Sequence, residues 1–408
     1  MLAPSPERSG TFAAFRSRDF RLLWGGQTIS FVGDAAFIVA LGWRVTALTG
    51  KASSLGFVLA AESLAMLATL LWGGVLADRH SRKLLMIGSD LARAGLMTVF
   101  CALDATGHLG LNAILVLAVA FGAADGFFQP AFGGIVPLVV ETPMLASASS
   151  WIGIARQGSA VVGPAIAAVL YGTGGPAVVW GIEAVSFLVS ASALWLARPR
   201  TIQPPPQLGM RKELVEGFRY VVSVPWIWTG ISAATVILMV AMSPYTVLLP
   251  RVVQGHYHRG VGSYGLLFSA MAAGMVGGSL VWARLHPRKW RVAICFAAFG
   301  INDLGIIVLA VSPWYGLAVA AAAWRGFWIG IGIAAWMTLI SELVPEHLLS
   351  RVLSFDYFGS LGLTPVGFVL AGVVATAIAP TAILAVGGAL GAMLWFVPLL
   401  WRKVRVVA

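Results

Sequence analysis

The sequence predicts an all-α polytopic membrane protein whose twelve transmembrane helices form two pseudo-repeated six-helix bundles. Three observations carry that prediction. With 59% hydrophobic and 11% charged residues, a soluble globule of 408 residues would have nowhere to hide its apolar surface, so the bilayer is the solvent. The apolar residues fall into twelve membrane-length runs. A polar stretch from Arg198 to Pro225 divides these runs six and six.

Span one runs from about Phe20 to Leu48 and is interrupted by Asp34. Spans two to six cover about 53–77, 84–104, 111–138, 147–171 and 177–197. The polar stretch holds Pro204-Pro205-Pro206, followed by a segment in which Leu214, Val215, Phe218 and Val221 recur at helical spacing opposite charged residues. That pattern predicts a short amphipathic helix on the membrane surface. Spans seven to twelve follow at about 226–250, 262–283, 291–311, 314–341, 352–378 and 380–400. The expected domains are therefore residues 1–197, a first bundle; 198–225, a cytoplasmic linker; and 226–408, a second bundle.

The net charge of +11 would suggest a nucleic-acid partner in a soluble chain, but here its placement along the loops carries the information. With the N-terminus inside, twenty of the 27 Lys and Arg residues fall on the cytoplasmic side, four on the opposite side, and Arg93, Arg156 and Arg325 within spans. This bias predicts a multi-pass cell-membrane protein with both termini cytoplasmic. Cys101 and Cys295 lie in apolar runs of opposite halves, which argues for free thiols. The N-terminus, with Pro4, Pro6, Glu7 and Arg8, lacks the short apolar core of a signal peptide.

The halves match one another. Asp125-Gly-Phe-Phe in span four aligns with Arg325-Gly-Phe-Trp in span ten, and Leu55-Gly56-Phe57 with Tyr264-Gly265-Leu266. Arg82-Lys83 aligns with Arg288-Lys289, and Pro143 with Pro345 after a two-residue offset. These matches fit repeated bundles related by an axis along the membrane normal.

Two motifs narrow the family. Between spans two and three, Gly74-x-Leu76-Ala77-Asp78-Arg79-x-x-Arg82-Lys83 resembles the loop signature of the major facilitator superfamily. In span five, Ser159-x3-Gly163-Pro164 with Ala167-Ala168 resembles the antiporter signature of its exporters, with several glycines replaced; ordinary small-residue packing is the alternative reading. Phe20 to Asp34, with Ser89-Asp90-Leu-x-Arg93-Ala94, is similar to the drug:proton antiporter branch that includes macrolide-efflux and enterobactin-export proteins. The resemblance implies that Gly74, Asp78, Arg79, Arg82 and Lys83 form a conformational latch, with Asp78 at the start of helix eleven and Arg82 facing an acid, Glu141 or Asp90.

Charges inside a bilayer cost roughly 2.5 to 3.5 kcal/mol each at a helix centre, so they mark function. Asp34, Glu62, Asp125, Arg156, Glu183 and Arg325 sit well inside apolar runs. Asp34, Asp125 and Glu62 are the candidates for proton coupling. Arg325 and Arg156, with Trp324, Trp328, Trp336, Met239, Met242 and Tyr245, are candidates for the substrate cavity; lipid-facing or packing roles are the alternative for the aromatic and Met residues. Asp125 faces either Arg325 across the cavity or Arg156 within its own bundle. There is no phosphate-binding loop, metal-ligand pattern or nucleophile elbow, so an enzyme, a cofactor and a metal are not expected. The resemblance implies a monomeric, proton-coupled exporter of a small, largely apolar drug, secondary metabolite or siderophore. Its partners are the bilayer, protons and that substrate. Import or lysophospholipid flipping on the same fold is one alternative; a membrane scaffold or sensor that transports nothing is another.

Overall fold

A computed structural model of the chain describes residues 11–200, 210–285, 287 and 289–405. The residues Pro4 to Arg8, Pro204 to Pro206 and Arg288, and the side chains of Asp78 and Leu214, lie outside the described set. Among the described residues every regular element is helical, and twelve segments are long and apolar enough to cross a membrane. Spans one to six are Arg18–Thr49, Ala52–Ala77, Arg82–Ala105, Leu111–Val139, Thr142–Gly174 and Pro176–Leu196. Spans seven to twelve are Pro225–Gly255, Val261–Leu285, Arg291–Val311, Tyr315–Leu343, Arg351–Val374 and Pro380–Leu400.

The spans form two compact units. One takes the described residues of Met1–Arg44 and Ala61–Pro205, the other those of Val45–Ala60 and Pro206–Ala408. The end of span one and the start of span two thus cluster with the second unit. Close backbone approach explains it. A Cβ at Gly56 would collide with the Phe368 carbonyl oxygen, and one at Gly372 would stand 2.6 Å from Ser53 Cα.

Within each unit the same glycine framework sets helix spacing. In the first, a Cβ at Gly73 of span two would lie 2.6 Å from the Gly126 carbonyl oxygen, and one at Gly126 of span four 2.5 Å from that of Met66. In the second, a Cβ at Gly278 of span eight would collide with the Phe327 carbonyl oxygen, and one at Gly326 of span ten with that of Met271. Gly126 and Gly326 are the residues paired by the internal repeat, so the repeat survives as backbone contact between spans two and four and between spans eight and ten. Gly74, by contrast, has open space where a side chain would begin, so the close approach is made by Gly73.

Spans seven and eleven are not continuous α-helices. Span seven passes through a π turn at Leu238–Met242, and span eleven is built from Glu346–Leu361 and Thr364–Val374. Span five, however, continues through Pro164. The linker segment forms the helix Met210–Ser223, which docks on Glu346–Leu361 through a 2.6 Å Arg351–Glu216 ion pair and the Phe218 and Phe355 rings, 5.9 Å apart. Of the expected apolar face, Val215 and Phe218 remain exposed and Val221 is buried.

Candidate functional site

The first unit gathers its intramembrane charges around Arg93 of span three, which is 2% exposed. Its Nη2 donates to Asp90 Oδ1 at 2.6 Å, one turn earlier on the same helix. Nη1 reaches Asp125 Oδ1 of span four at 3.4 Å and Asp34 Oδ1 of span one at 4.0 Å. The guanidinium carbon lies 4.3 Å from the ring centroids of both Phe128 and Phe187, a geometry that replaces lost hydration with aromatic faces.

Hydrogen bonds extend the group across the unit. Asp90 Oδ2 accepts from Ser190 Oγ of span six at 2.6 Å, and Ser190 accepts from Gln27 Nε2 of span one at 2.6 Å. Asp125 also accepts from Gln129 Nε2 at 3.2 and 3.3 Å. Glu183 of span six stands within hydrogen-bonding reach of Asp34 and accepts from Ser186 Oγ at 3.0 Å. Glu62 of span two lies within electrostatic reach of Asp125 and Asp34. One guanidinium therefore faces four carboxyl groups, with Glu62 close to two of them, a surplus of acid in a water-poor interior.

Asp34, Asp125, Glu62 and Glu183 each stand out in the sequence as charges inside apolar runs, and the fold brings them together. Arg93 and Asp90, which organise them, are missing from the expected set of cavity charges. Their signal was the i, i+3 spacing of an acid and a base inside an apolar run, a self-compensating pair. Asp90 serves Arg93 and Ser190, which corrects its assignment as a partner of Arg82. The Arg156 guanidinium, expected against an acid, lies over the rings of Phe31 at 4.9 Å and Phe132 at 5.1 Å.

In the second unit Arg325 is 1% exposed. Its guanidinium carbon sits 3.9 Å from the Tyr245 ring centroid, with the Met271 and Met242 sulfurs each 3.9 Å from its terminal nitrogens. Its electrostatic partner is Asp303 of span nine, buried beside Asn302, whose Nδ2 donates to Asp303 Oδ1 at 2.9 Å. Asp303 is a third residue absent from the expected set, although a lone carboxylate in span nine was visible in the sequence.

Arg325 and Tyr245 are buried within their unit. Asp125 finds Arg93 and Gln129, and Arg325 finds Tyr245 and Asp303, so each has partners inside its own unit. Trp336 is also buried, its Nε1 donating to Asp356 Oδ2 at 3.0 Å. Trp324 is exposed, donates Nε1 to the Ile301 carbonyl at 3.2 Å, and packs 5.6 Å from the half-buried Trp328. Met239 lies half-buried in the π turn of span seven, a local geometry that recurs at functional sites.

Residues 9–406 match the family model described as transmembrane secretion effector. The chain belongs to this family of the major facilitator superfamily. Enterobactin exporter EntS of Citrobacter koseri is 30% identical to it over 349 residues, 82% of this chain and 79% of that protein. Macrolide efflux protein A of Streptococcus pyogenes is 25% identical over 371 residues, 86% of this chain and 88% of that protein. The solved nucleoside transporter NupG shares the fold, with a TM-score of 0.75 at 10% identity across 94% of this chain and 99% of that one. A multi-pass transporter of the cell membrane follows from twelve apolar helices and these relatives.

The superfamily loop between spans two and three is tied down from its basic side. Arg82 Nη1 donates to the Gly134 carbonyl of span four at 2.6 Å. Lys83 Nζ donates to the carbonyls of Trp195 and Ala197 at 2.9 and 2.8 Å, at the end of span six. Arg79 is exposed. On span five, a Cβ at Gly163 would lie 2.6 Å from Ala35 Cβ, and Ser159 Oγ donates to the Thr28 carbonyl at 3.4 Å. Span five therefore packs onto span one just beside Asp34.

Proposed function

We propose that this transporter exports a small, largely apolar compound by alternating access, driven by protons moving inward. The observation that carries the reading is the surplus of carboxyl groups around Arg93. Asp34 is the most weakly held of the three acids that reach Arg93, at 4.0 Å, and its side chain is 34% exposed. It is placed to exchange a proton while Asp90 keeps the guanidinium anchored. Protonation at Asp34 releases part of the hold on Arg93, and loss of that proton restores it, so proton binding biases the arrangement of spans one, three and four. The inward gradient suffices as a source, since one charge crossing 100 mV supplies roughly 2.3 kcal/mol. Outward direction is supported by relatives named for macrolide efflux and enterobactin export.

The Lys and Arg distribution supports cytoplasmic termini. The loop from Gly74 to Lys83 acts as the latch, and Gly163 and Pro164 let span five press against span one. Both bundles reside in one chain, which suits a monomer.

The test is proton flux in proteoliposomes loaded with a fluorescent pH reporter. A transported compound should accelerate proton movement through the native protein. Asp34→Asn should abolish gradient-driven efflux while leaving exchange of labelled for unlabelled compound without a gradient. Full gradient-driven efflux by well-folded Asp34→Asn protein would place coupling elsewhere, with Asp125 and Glu62 next.

A further inference from the structure

Glu183 of span six is 0% exposed, and its two oxygens are treated unequally. Oε2 accepts from Ser186 Oγ at 3.0 Å, whereas Oε1 receives no hydrogen bond from any described donor. The carboxyl group is pressed onto span one where only glycine leaves room, since a Cβ at Gly33 would collide with Glu183 Oε2. The next residue is Asp34, whose carboxyl group lies within hydrogen-bonding reach. On the other side Glu183 closes an apolar cleft between spans one, five and six, with Val32, Ile166, Leu170 and Ile182 among its walls. That side offers Oε1 no donor.

The positive charge nearby is already engaged. Arg93 Nη2 is held by Asp90 at 2.6 Å, and Nη1 faces Asp125 at 3.4 Å and Asp34 at 4.0 Å. Glu183 feels Arg93 through space, but among the described residues no ion pair within 4.0 Å reaches it. Two ionised carboxylates side by side would set acceptor against acceptor. A buried acceptor without a donor forfeits its hydration and gains nothing in return. One proton on Glu183 Oε1 removes the conflict, because the O–H donates to Asp34 while Oε2, as the carbonyl oxygen, goes on accepting from Ser186. Asp34 is the acid that faces Arg93, and it is 34% exposed, so the charge belongs on Asp34 and the proton on Glu183.

We infer that Glu183 is a neutral carboxylic acid whose O–H donates to the Asp34 carboxylate, a positioning residue that ties span one to span six. Glu183 keeps its proton, and Asp34 exchanges one. A hydrogen bond to a charged acceptor is roughly twice as strong as one between neutral groups, so the tie is tight while Asp34 is ionised and slackens when Asp34 takes up a proton. Protonation of Asp34 thus loosens two holds at once, on Arg93 of span three and on Glu183 of span six. As a step in transport this rests on the proton-driven reading; as a protonation state it does not.

Infrared difference spectroscopy in lipid nanodiscs near neutral pH, with no gradient, reads that state. The native protein should show a carboxylic-acid carbonyl stretch that Glu183→Gln removes and that Asp34→Asn shifts, because the bond to Asp34 tunes its frequency. Compound-stimulated proton flux in proteoliposomes reads the positioning. Glu183→Leu, which fills the space without a donor, should slow that flux about tenfold or more, and Glu183→Gln, whose amide N–H takes the place of the O–H, should recover most of the loss. The infrared comparison uses the isosteric Gln, so it decides the protonation state even where Glu183→Leu fails to fold. No acid band lost from Glu183→Gln would overturn the neutral acid. Glu183→Gln as impaired as Glu183→Leu, or Glu183→Leu as active as the native protein, would overturn the donor role. A lost band with no compound-stimulated flux through the native protein would leave the neutral acid standing and count against the proton-driven reading instead.

Discussion

The two units bury an arginine apiece in opposite company. Arg93 is wrapped by Asp90, Asp125 and Asp34, whereas Arg325 is held by the Tyr245 ring and two methionine sulfurs with Asp303 nearby. Yet close glycine contacts join spans two and four at Gly73 and Gly126, and spans eight and ten at Gly278 and Gly326. Backbone packing was retained in both copies while side-chain chemistry diverged. The signs are even exchanged: span three brings the base and span four the acid in the first unit, while span nine brings the acid and span ten the base in the second. A surplus of acids surrounds the base in the first unit; an aromatic and thioether cage encloses it in the second.

The largest expected effect comes from removing each arginine. Arg93→Met strands several carboxyl groups and should cost about 3 to 5 kcal/mol, seen as loss of folded protein or a steep fall in Tm in detergent. Arg325→Met leaves Asp303 alone and keeps an apolar fit to Tyr245, Met242 and Met271, so its cost should be the smaller of the two. A greater loss from Arg325→Met would reverse the contrast drawn between the units.

Next come the shared glycines. Gly126→Val and Gly326→Val each force a side chain into a neighbouring helix backbone, at about 1 to 3 kcal/mol apiece. Near-equal falls in Tm are expected; a marked inequality would show that the copies do not share one packing framework.

The smallest effect resolves which acid serves Arg325. A double-mutant cycle between Arg325→Met and Asp303→Asn, read by thermal melting, should give a coupling of about 1 kcal/mol. The matching cycle with Asp125→Asn should give about none, and the exchange of Asp125→Arg with Arg325→Asp should not restore efflux. Coupling to Asp125 in place of Asp303 would make the two arginine environments one network.

The loop between spans two and three illustrates how sequence and structure divide the work. Arg82 and Lys83 were legible as a basic turn between spans, but their acceptors are the carbonyls of Gly134, Trp195 and Ala197, which no side-chain pattern announces. Likewise Gly163 was legible as a small residue on a packing face, and its partner on span one was not. Hydrogen bonds to backbone leave no trace in composition, because every residue offers the same carbonyl.

The amino-acid sequence by itself determined the solvent, the spans, the repeat and the family. These follow from local hydropathy, from a polar break at the midpoint and from short motifs, all of which are properties of neighbouring residues. It also named Asp34, Glu62, Asp125 and Glu183, because a charge within an apolar run is conspicuous wherever it points. Only the tertiary structure decided that Arg93 is their common partner, that Arg325 is enclosed by Tyr245 and methionines, and that Glu183 closes an apolar cleft beside Gly33. Each of those facts depends on which helix faces which, and at what rotation. A helix presents residues all around its circumference, so an apolar run states that a segment crosses the membrane without fixing the direction in which its few charges look.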